Sequence, residues 1–218
     1  MSFYYIKHFV MILTTALPVA VGIYRYRAFD MGSKIFYYSS ILCMIAESLA
    51  FYAAVYFHNN LVVYNIANII ELFTISVYFN YTIRYFRRKN IGLIIGVSGL
   101  IIGVVNNFFI QSIYGITDYF LSYQALVTIA MSIVSLSTFL KPNDKREAKK
   151  EVHFWLPVIL IFSWIFSYLL FTLIAFFSER LKQAASGVLP SLFLICVVTN
   201  LSTAAVFFLY PKMHAHVR

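Results

Sequence analysis

Charged residues are scarce in this chain, and acidic residues are the scarcest of them. Asp and Glu together number 8 among 218 residues, and all charged residues make up 11% of the chain, whereas soluble globular domains carry about 25%. Hydrophobic residues account for 61%, well above the share of about 45–50% in soluble domains. No contiguous polar stretch is long enough to fold alone in water. The composition therefore excludes a water-soluble catalytic or nucleic-acid-binding domain and indicates a membrane protein.

Residues that build metal and catalytic sites are also few. Cys43 and Cys196 lie in separate apolar stretches and are expected to be reduced core residues, because a metal site needs more ligands at closer spacing. None of the five histidines is expected at membrane depth, which disfavours an intramembrane zinc hydrolase. The sequence contains no Gly-x-Ser-x-Gly, His-Glu-x-x-His or phosphate-binding motif. We therefore expect no catalytic residues, no metal and no cofactor, and the chain is not predicted to be an enzyme.

Long apolar segments fill most of the chain. A membrane-spanning helix needs about 20 apolar residues, and seven such segments can be marked. They are continuous and lack the alternation of barrel strands, which favours helices. The sequence thus predicts an all-α membrane protein, a seven-transmembrane helix bundle that forms a single domain over residues 1–218. The predicted helices are Phe9–Tyr24, Ile35–Phe57, Leu61–Phe86, Ile91–Ile113, Tyr119–Leu140, Phe154–Phe177 and Val188–Tyr210.

The basic residues predict an orientation. Of the 17 Lys and Arg residues, 14 fall in connections or in the carboxyl-terminal end, which alternating helices bring to one side of the membrane. The positive-inside rule then puts the amino terminus outside and the carboxyl terminus in the cytoplasm. The net charge of +9 is accordingly a topology signal. It predicts the lipid bilayer, with its anionic surface, as a partner and no nucleic acid.

Two acidic residues lie inside predicted helices two and three. Glu47 is 12 residues before Asn59 in the connecting turn, and Glu71 is 12 residues after it. At about 1.5 Å per residue, both acids lie about 18 Å from the turn, near the bilayer midplane. An ionisable group at this depth costs several kcal/mol, so we expect both acids to face the bundle interior and to have partners. At least one of them is expected to be protonated at neutral pH, either sharing its proton with the other acid or bonding Asn68.

Other polar residues share the helix faces that carry the two acids. Ser40 and Cys43 precede Glu47 at helical spacing, and further polar residues follow the same period on helices five, six and seven. The predicted ligand- or proton-binding site therefore consists of seven residues, namely Ser40, Glu47, Tyr64, Asn68, Glu71, Tyr78 and Asn200. In the alternative interpretation, the acids are neutral hydrogen-bonding groups that only hold helices two and three together.

Predicted helix four carries glycines at steps of three and four residues, including two Gly-x-x-x-Gly steps. Gly92, Gly96, Gly99 and Gly103 form a face that another helix can approach closely. Packing inside the same bundle and a homodimer seam are the two interpretations of this face.

The connection from Lys141 to His153 is the most charged part of the chain. It is either a solvated extension of a helix or a docking surface for a cytoplasmic partner. The docking residues would be Lys145, Arg146, Lys149 and Lys150.

Short stretches spread over most of the chain carry a family resemblance. They are Leu17-Pro18 with Gly22, Ala46-Glu47-Ser48, Asn59-Asn60 with Tyr64-Asn65 and Glu71, Asn106 to Gln111, and Phe154-Trp155 with Phe162-Ser163. In these stretches the chain resembles an uncharacterised family of small seven-helix inner-membrane proteins common in Bacteroidota. The resemblance implies the same seven-helix layout in a bacterial inner membrane and no established activity.

Two functions fit these features. In the first, the chain is a receptor-like or sensory membrane protein that binds a small or lipidic ligand, or protons, at Glu47 and Glu71. Having no soluble output domain, it would signal through a separate cytoplasmic protein. In the alternative, it is a small transporter that uses the same acids for proton or cation coupling.

Overall fold

The helical architecture agrees with the composition. A computed structural model describes residues 3–139, 151–177 and 185–214. Within these ranges seven helices are long and apolar enough to cross a membrane, which confirms the all-α seven-helix prediction. One short helix, α4, lies between the third and fourth of them. The helices are α1 Phe3–Arg25, α2 Met31–Tyr56, α3 Leu61–Thr82, α4 Arg84–Lys89, α5 Ile91–Val105, α6 Asp118–Ser137, α7 Val152–Phe177 and α8 Ala185–His214.

Six of the long helices form a closed ring, and the seventh lies outside it. Around the ring, α1 packs on α2, α2 on α3, α3 on α6, α6 on α7, α7 on α8, and α8 on α1. Helix α5 packs mainly against α3. We call the end of the bundle where α2, α5 and α7 begin the basic end, because the exposed Arg and Lys residues of α4 lie there. The other end is called the opposite end.

The third predicted helix is interrupted near the basic end. A single helix was expected over Leu61–Phe86, but the chain becomes extended at Ile83 and continues as α4. Phe86 is buried in the core, whereas Arg84, Arg87 and the other basic residues of α4 are exposed. The interruption lets these charges leave the apolar interior while Phe86 stays packed. Asn90, in the left-handed conformation that Asn tolerates better than most residues, then connects α4 to α5.

Several helix ends also differ from the predicted ones. Helix α5 ends at Val105 and continues as one wide π-helical turn over Asn106–Ile110, instead of running to Ile113. Helix α7 begins at Val152, so His153 belongs to the helix and not to the preceding connection. Helix ends are the least certain part of any prediction from sequence, because apolar patterns do not mark the last turn.

Aromatic packing fills the basic half of the ring. Phe36 on α2 contacts Tyr78 on α3 with ring centroids 5.3 Å apart, and Phe29 contacts Phe207 on α8 at 4.9 Å. Together with Leu156 on α7 they belong to one buried cluster. These side chains fill the interior of the bundle near the basic end. Glu47 and Glu71 lie beyond this cluster, toward the opposite end.

Asn65 organises the backbone at the opposite end. Its side-chain amide donates to the carbonyl oxygens of Ile113 and Gly115, both at 2.8 Å, and its side-chain oxygen accepts a bond from the Thr117 hydroxyl at 2.9 Å. The Asn107 amide donates to the Asn65 carbonyl at 3.3 Å. One buried asparagine on α3 thereby fixes the whole connection from α5 to α6.

The glycine face of α5 packs against α3 of the same chain. All four of its glycines, Gly92, Gly96, Gly99 and Gly103, are buried. A Cβ atom added at Gly99 would lie 2.7 Å from the Leu72 side chain, and one added at Gly103 would lie 2.6 Å from Ile69. The Gly92 N–H donates to the Asn80 side chain at 3.1 Å. Since α3 covers this face, packing within the bundle is the correct interpretation, and the homodimer seam through these glycines is wrong.

Candidate functional site

Glu47 bonds a tyrosine on the neighbouring helix. It is partly buried on α2, and the Tyr64 hydroxyl on α3 donates to its Oε2 at 3.0 Å. Lys7 on α1 lies within electrostatic range of the same carboxyl group. The Tyr64 bond therefore joins α2 to α3, and the Lys7 charge brings α1 into the same polar region.

Glu71 bonds a glutamine on the neighbouring helix of the ring. The Gln124 side chain, fully buried on α6, places its Nε2 at 3.4 Å from Glu71 Oε2 on α3. Gln124 Oε1 has no partner among the described residues. If the amide group is turned by 180°, Oε1 can accept a proton held by Glu71. The contact therefore suits a protonated Glu71 as well as a charged one.

The two acids face a common region but do not bond each other. Cys43 on α2 and Cys196 on α8 each lie within electrostatic range of both carboxyl groups. Among the residues that the structure describes, no hydrogen bond joins Glu47 to Glu71, and Asn68 bonds neither of them. Each acid therefore has its own partner on another helix, instead of a proton shared between the two.

The remaining predicted site residues lie in different surroundings. The Ser40 hydroxyl is 3.4 Å from the carbonyl of Phe36 in its own helix. Tyr78 lies two helical turns from Glu71 and contacts His153 near the basic end. Asn200 is partly buried on α8 and bonds neither acid in the described part of the chain. The predicted docking residues Lys145, Arg146, Lys149 and Lys150 lie outside the described residues.

Some of the buried polar atoms without partners lie on α6 and α8, near the acids. In the described ranges, Gln124 Oε1, Thr128 Oγ1 and Thr199 Oγ1 are buried and make no hydrogen bond. Thr128 is one turn from Gln124 on α6, and Thr199 is one turn from Cys196 on α8. Leaving such an atom unbonded costs about 1–3 kcal/mol, and native interiors keep few of them. These unbonded atoms could therefore form hydrogen bonds with a polar molecule bound in this part of the interior.

A second polar cluster lies at the basic end, where four helices meet. Asp30 precedes α2 and caps it, because its Oδ1 accepts a bond from the Ser33 N–H at 2.8 Å. Its Oδ2 is 2.7 Å from Nε2 of His153, near the start of α7. The other ring nitrogen of His153 is 3.3 Å from the hydroxyl of Tyr78 near the end of α3. The Asp30 N–H donates to the hydroxyl of Tyr210, on α8, at 2.9 Å.

The surroundings of Asp30 favour its charged form. Burial alone would raise the pKa of this carboxyl, but the hydrogen bond and charge of His153, together with the Ser33 N–H, hold the pKa below its ordinary value. A lowered pKa in the folded protein stabilises it above the ordinary carboxyl pKa of about 3.9. This contribution is therefore complete near neutral pH and is lost as the pH falls through the lowered value.

Sequence reasoning missed this second cluster. Asp30 three residues before Ser33 is a recognisable helix-capping signal, but its partner His153 is 123 residues away and was assigned to a connection. A second histidine was also misplaced. His8 is buried within the first candidate span, with its ring centroid 5.6 Å from that of Phe51. No histidine was expected at membrane depth, and the structure places His8 and His153 each as the second residue of a candidate span.

Comparison with known proteins adds no further assignment to these two clusters. No protein-family model, no curated protein and no solved structure matches the chain.

Proposed function

We propose that the chain is a receptor-like or sensory membrane protein that acts through Glu47 and Glu71. Protons, or a small or lipidic ligand, would bind at these acids and change the packing of the bundle. The supporting observation is that each acid makes its hydrogen bond across a helix boundary. Tyr64 joins α3 to α2 through Glu47, and Gln124 joins α6 to α3 through Glu71. Protonation or ligand binding at either acid therefore changes a bond between helices.

The packing of the basic half favours sensing over transport. A transporter must open its site to each side of the membrane in turn. Here the aromatic cluster of Phe36, Tyr78 and Phe207 fills the ring between the acids and the basic end. A site that is closed toward the basic end suits a receptor.

A transporter is the second candidate, and one observation favours it. Buried polar residues continue along α6 from the level of Glu71 toward the basic end, and they are Gln124, Thr128, Ser132 and Ser135. Such a line of polar side chains resembles a proton relay between the acids and the basic end.

The cellular setting belongs to the same proposal. The basic end would face the cytoplasm of a bacterial inner membrane, as expected for a member of the seven-helix family that the chain resembles. In this proposal, a separate cytoplasmic protein would receive the signal. Its docking residues would be Lys145, Arg146, Lys149 and Lys150. No enzymatic step is part of the proposal.

Tryptophan emission provides a test, because both tryptophans of the protein, Trp155 and Trp164, are on α7. Trp164 shares the lining of a cavity with Leu121 and Ser122 on α6, within a turn of Gln124. In the purified Trp155→Phe variant, we expect Trp164 emission to change between pH 5 and pH 8. Adding Glu71→Gln should abolish this change while the thermal unfolding midpoint is kept, since Gln can still bond Gln124.

Two controls separate the candidate functions. His58→Asn changes an exposed titratable side chain in the turn between α2 and α3, away from Trp164, and should leave the Trp164 response intact. Proteoliposomes holding a pH-sensitive dye should show no proton flux through the protein. Proton flux that Glu71→Gln abolishes would replace the sensor by the transporter. A Trp164 response that persists in Glu71→Gln would remove Glu71 from either function.

A further inference from the structure

A third polar region is a cavity between α6 and α7 at the opposite end. Its volume is about 230 Å³. Pockets for drug-sized ligands span about 300–1,000 Å³, so a ligand that fills this cavity is small. Its polar and aromatic lining residues are Asp118, Tyr119, Ser122, Trp164, Tyr168 and Thr172. One carboxylate, several hydroxyl groups and aromatic rings thus line the same space.

Helical spacing brings these side chains together. Asp118 and Ser122 are one turn apart at the start of α6, and Trp164, Tyr168 and Thr172 follow one another at four-residue steps on α7. The two helices are antiparallel neighbours, so the second half of α7 lies beside the start of α6. At about 1.5 Å per residue, Trp164 lies about 12 Å farther from the opposite end than Thr172 does. The cavity therefore has an aromatic inner end and a polar outer end.

Asp118 brings a carboxylate with one free oxygen to the outer end. Its Oδ1 accepts hydrogen bonds from the Gln111 side chain and, at 3.1 Å, from the Tyr119 N–H. In the ranges that the structure describes, its Oδ2 makes no hydrogen bond and no cationic side chain pairs with the carboxylate. The start of α6 favours a negative charge, because the dipole of a helix is positive at its amino-terminal end. Within the described chain, this anionic group is therefore left without a counter-ion.

The other lining groups suit a cation that carries N–H donors. The hydroxyl oxygens of Ser122, Tyr168 and Thr172 can each accept a hydrogen bond. Indole and phenol rings attract ammonium groups that approach their faces, and an ammonium group bonded to a carboxylate forms a strong, charge-assisted pair. Of the described residues that line the cavity, none is basic. An anion would accordingly meet only the charge of Asp118.

A metal ion fits this lining less well than an organic cation does. Ca²⁺ takes about 6–8 oxygen ligands, whereas the cavity offers a single carboxylate. In the described part of the chain, no group of three His, Cys, Asp or Glu residues is placed to hold a metal ion. Aromatic rings, which are not metal ligands, make up much of the remaining lining.

We propose that this cavity binds the ammonium group of a small organic cation, with Asp118 as its counter-ion. Hydroxyl groups of Ser122, Tyr168 and Thr172 accept the remaining N–H bonds, and Trp164 closes the inner end. The ammonium group belongs either to a free amine or to the ethanolamine headgroup of a membrane lipid, since both present the same chemistry. This site does not depend on the function proposed for Glu47 and Glu71.

Trp164 emission provides the test. In the purified Trp155→Phe variant at neutral pH and constant ionic strength, we expect ethanolamine to change Trp164 emission saturably. Ethylene glycol, an uncharged molecule of similar size, should not change it. In the Trp164→Phe variant, ethanolamine should leave Trp155 emission unchanged, because Trp155 lies in the first turn of α7, near the basic end.

Three variants separate binding at this cavity from other effects. Asp118→Asn keeps an oxygen that can accept the Gln111 bond but removes the charge, so it should weaken ethanolamine binding about tenfold with the unfolding midpoint kept. Ser122→Ala leaves the Gln111 contact untouched and should weaken binding about threefold. Glu71→Gln should leave the affinity unchanged, so this test and that of the acid pair can fail separately. Full affinity in both Asp118→Asn and Ser122→Ala, or an equal response to ethylene glycol, would overturn the proposal.

Nanodiscs of defined composition identify the source of the ammonium group. In phosphatidylglycerol nanodiscs, free ethanolamine should change Trp164 emission. If the ligand is a lipid headgroup, adding phosphatidylethanolamine should change the emission by itself and reduce the response to free ethanolamine. If the ligand is a free amine, the response should be the same in both membranes. The absence of any response in both membranes would overturn the proposal.

Discussion

Single polar side chains organise both ends of this bundle. At the opposite end, Asn65 uses both of its side-chain polar atoms, and at the basic end Asp30 uses both of its carboxylate oxygens. In an apolar surrounding, backbone groups that lose such a partner cannot turn to water. Each of these residues therefore stabilises a segment much longer than itself.

Asn65→Ala should lower the stability of the protein strongly. The change leaves the carbonyl groups of Ile113 and Gly115 and the Thr117 hydroxyl without their partner, and we expect a loss of about 3 kcal/mol in the free energy of unfolding. The measurement is the unfolding midpoint in detergent. Asn60→Ala is the matched control, because Asn60 starts the same helix and its side chain makes no capping bond. Equal midpoints for the two variants would contradict the role given to Asn65.

Contacts between neighbouring side chains were only partly accessible from the sequence. The depth of Glu47 and Glu71 follows from their distance to one short turn, and the structure brings Tyr64, on the face predicted to carry Glu71, to Glu47. The partnership of Glu71 with Gln124 requires knowing that α6, rather than α5, is the ring neighbour of α3. Helical period gives the face of a residue, but it does not give the helix that the face meets.

At the scale of the helix, the close packing of α5 on α3 depends on glycines, which have no side chain. Its glycines let the backbone come close to α3, and the closest approach is at Gly92. There, an added Cβ atom would meet the backbone of Ser76 and Asn80 and not a movable side chain. The glycine spacing predicted such close packing, but it did not identify α3 as the partner.

Gly92→Ala should be the most damaging alanine substitution on this face. Backbone atoms cannot move aside, so we expect a loss of about 2 kcal/mol in the free energy of unfolding. Gly96→Ala should cost less, because its neighbours are the flexible Phe73 side chain at 3.0 Å and the Ser76 Cβ at 3.2 Å. Gly115→Ala, 3.5 Å from the nearest atom, is the near-neutral control. A reversed order in unfolding midpoints would show that α5 packs differently.

At the scale of the whole molecule, the number of spanning helices was predictable and their arrangement was not. Apolar length fixes the count, because each span must cross the same hydrocarbon thickness. The order around the ring depends on which side chains fit each other, such as Phe36 against Tyr78. The break at Ile83 was missed for a similar reason, since the buried Phe86 continues the apolar pattern past it.

The basic end should be found in the cytoplasm. In a background with Cys43→Ser and Cys196→Ser, the only two cysteines are removed, and single cysteines can be placed at Arg88 or at His58. Both positions are exposed, one at each end of the bundle. A membrane-impermeant maleimide should label His58→Cys on intact cells and Arg88→Cys only after the membrane is opened. The reverse pattern would contradict the orientation inferred from the positive-inside rule.

The position of α5 outside the ring has a consequence for chain direction. Helices α3 and α6 are ring neighbours that both end at the basic end, so they run parallel, and no short turn can join parallel neighbours. Helix α5 is the return crossing that makes this pairing attainable. A chain lacking it would insert α6, α7 and α8 with the opposite orientation in the membrane. Helix α5 thus sets the direction in which α6, α7 and α8 cross the membrane.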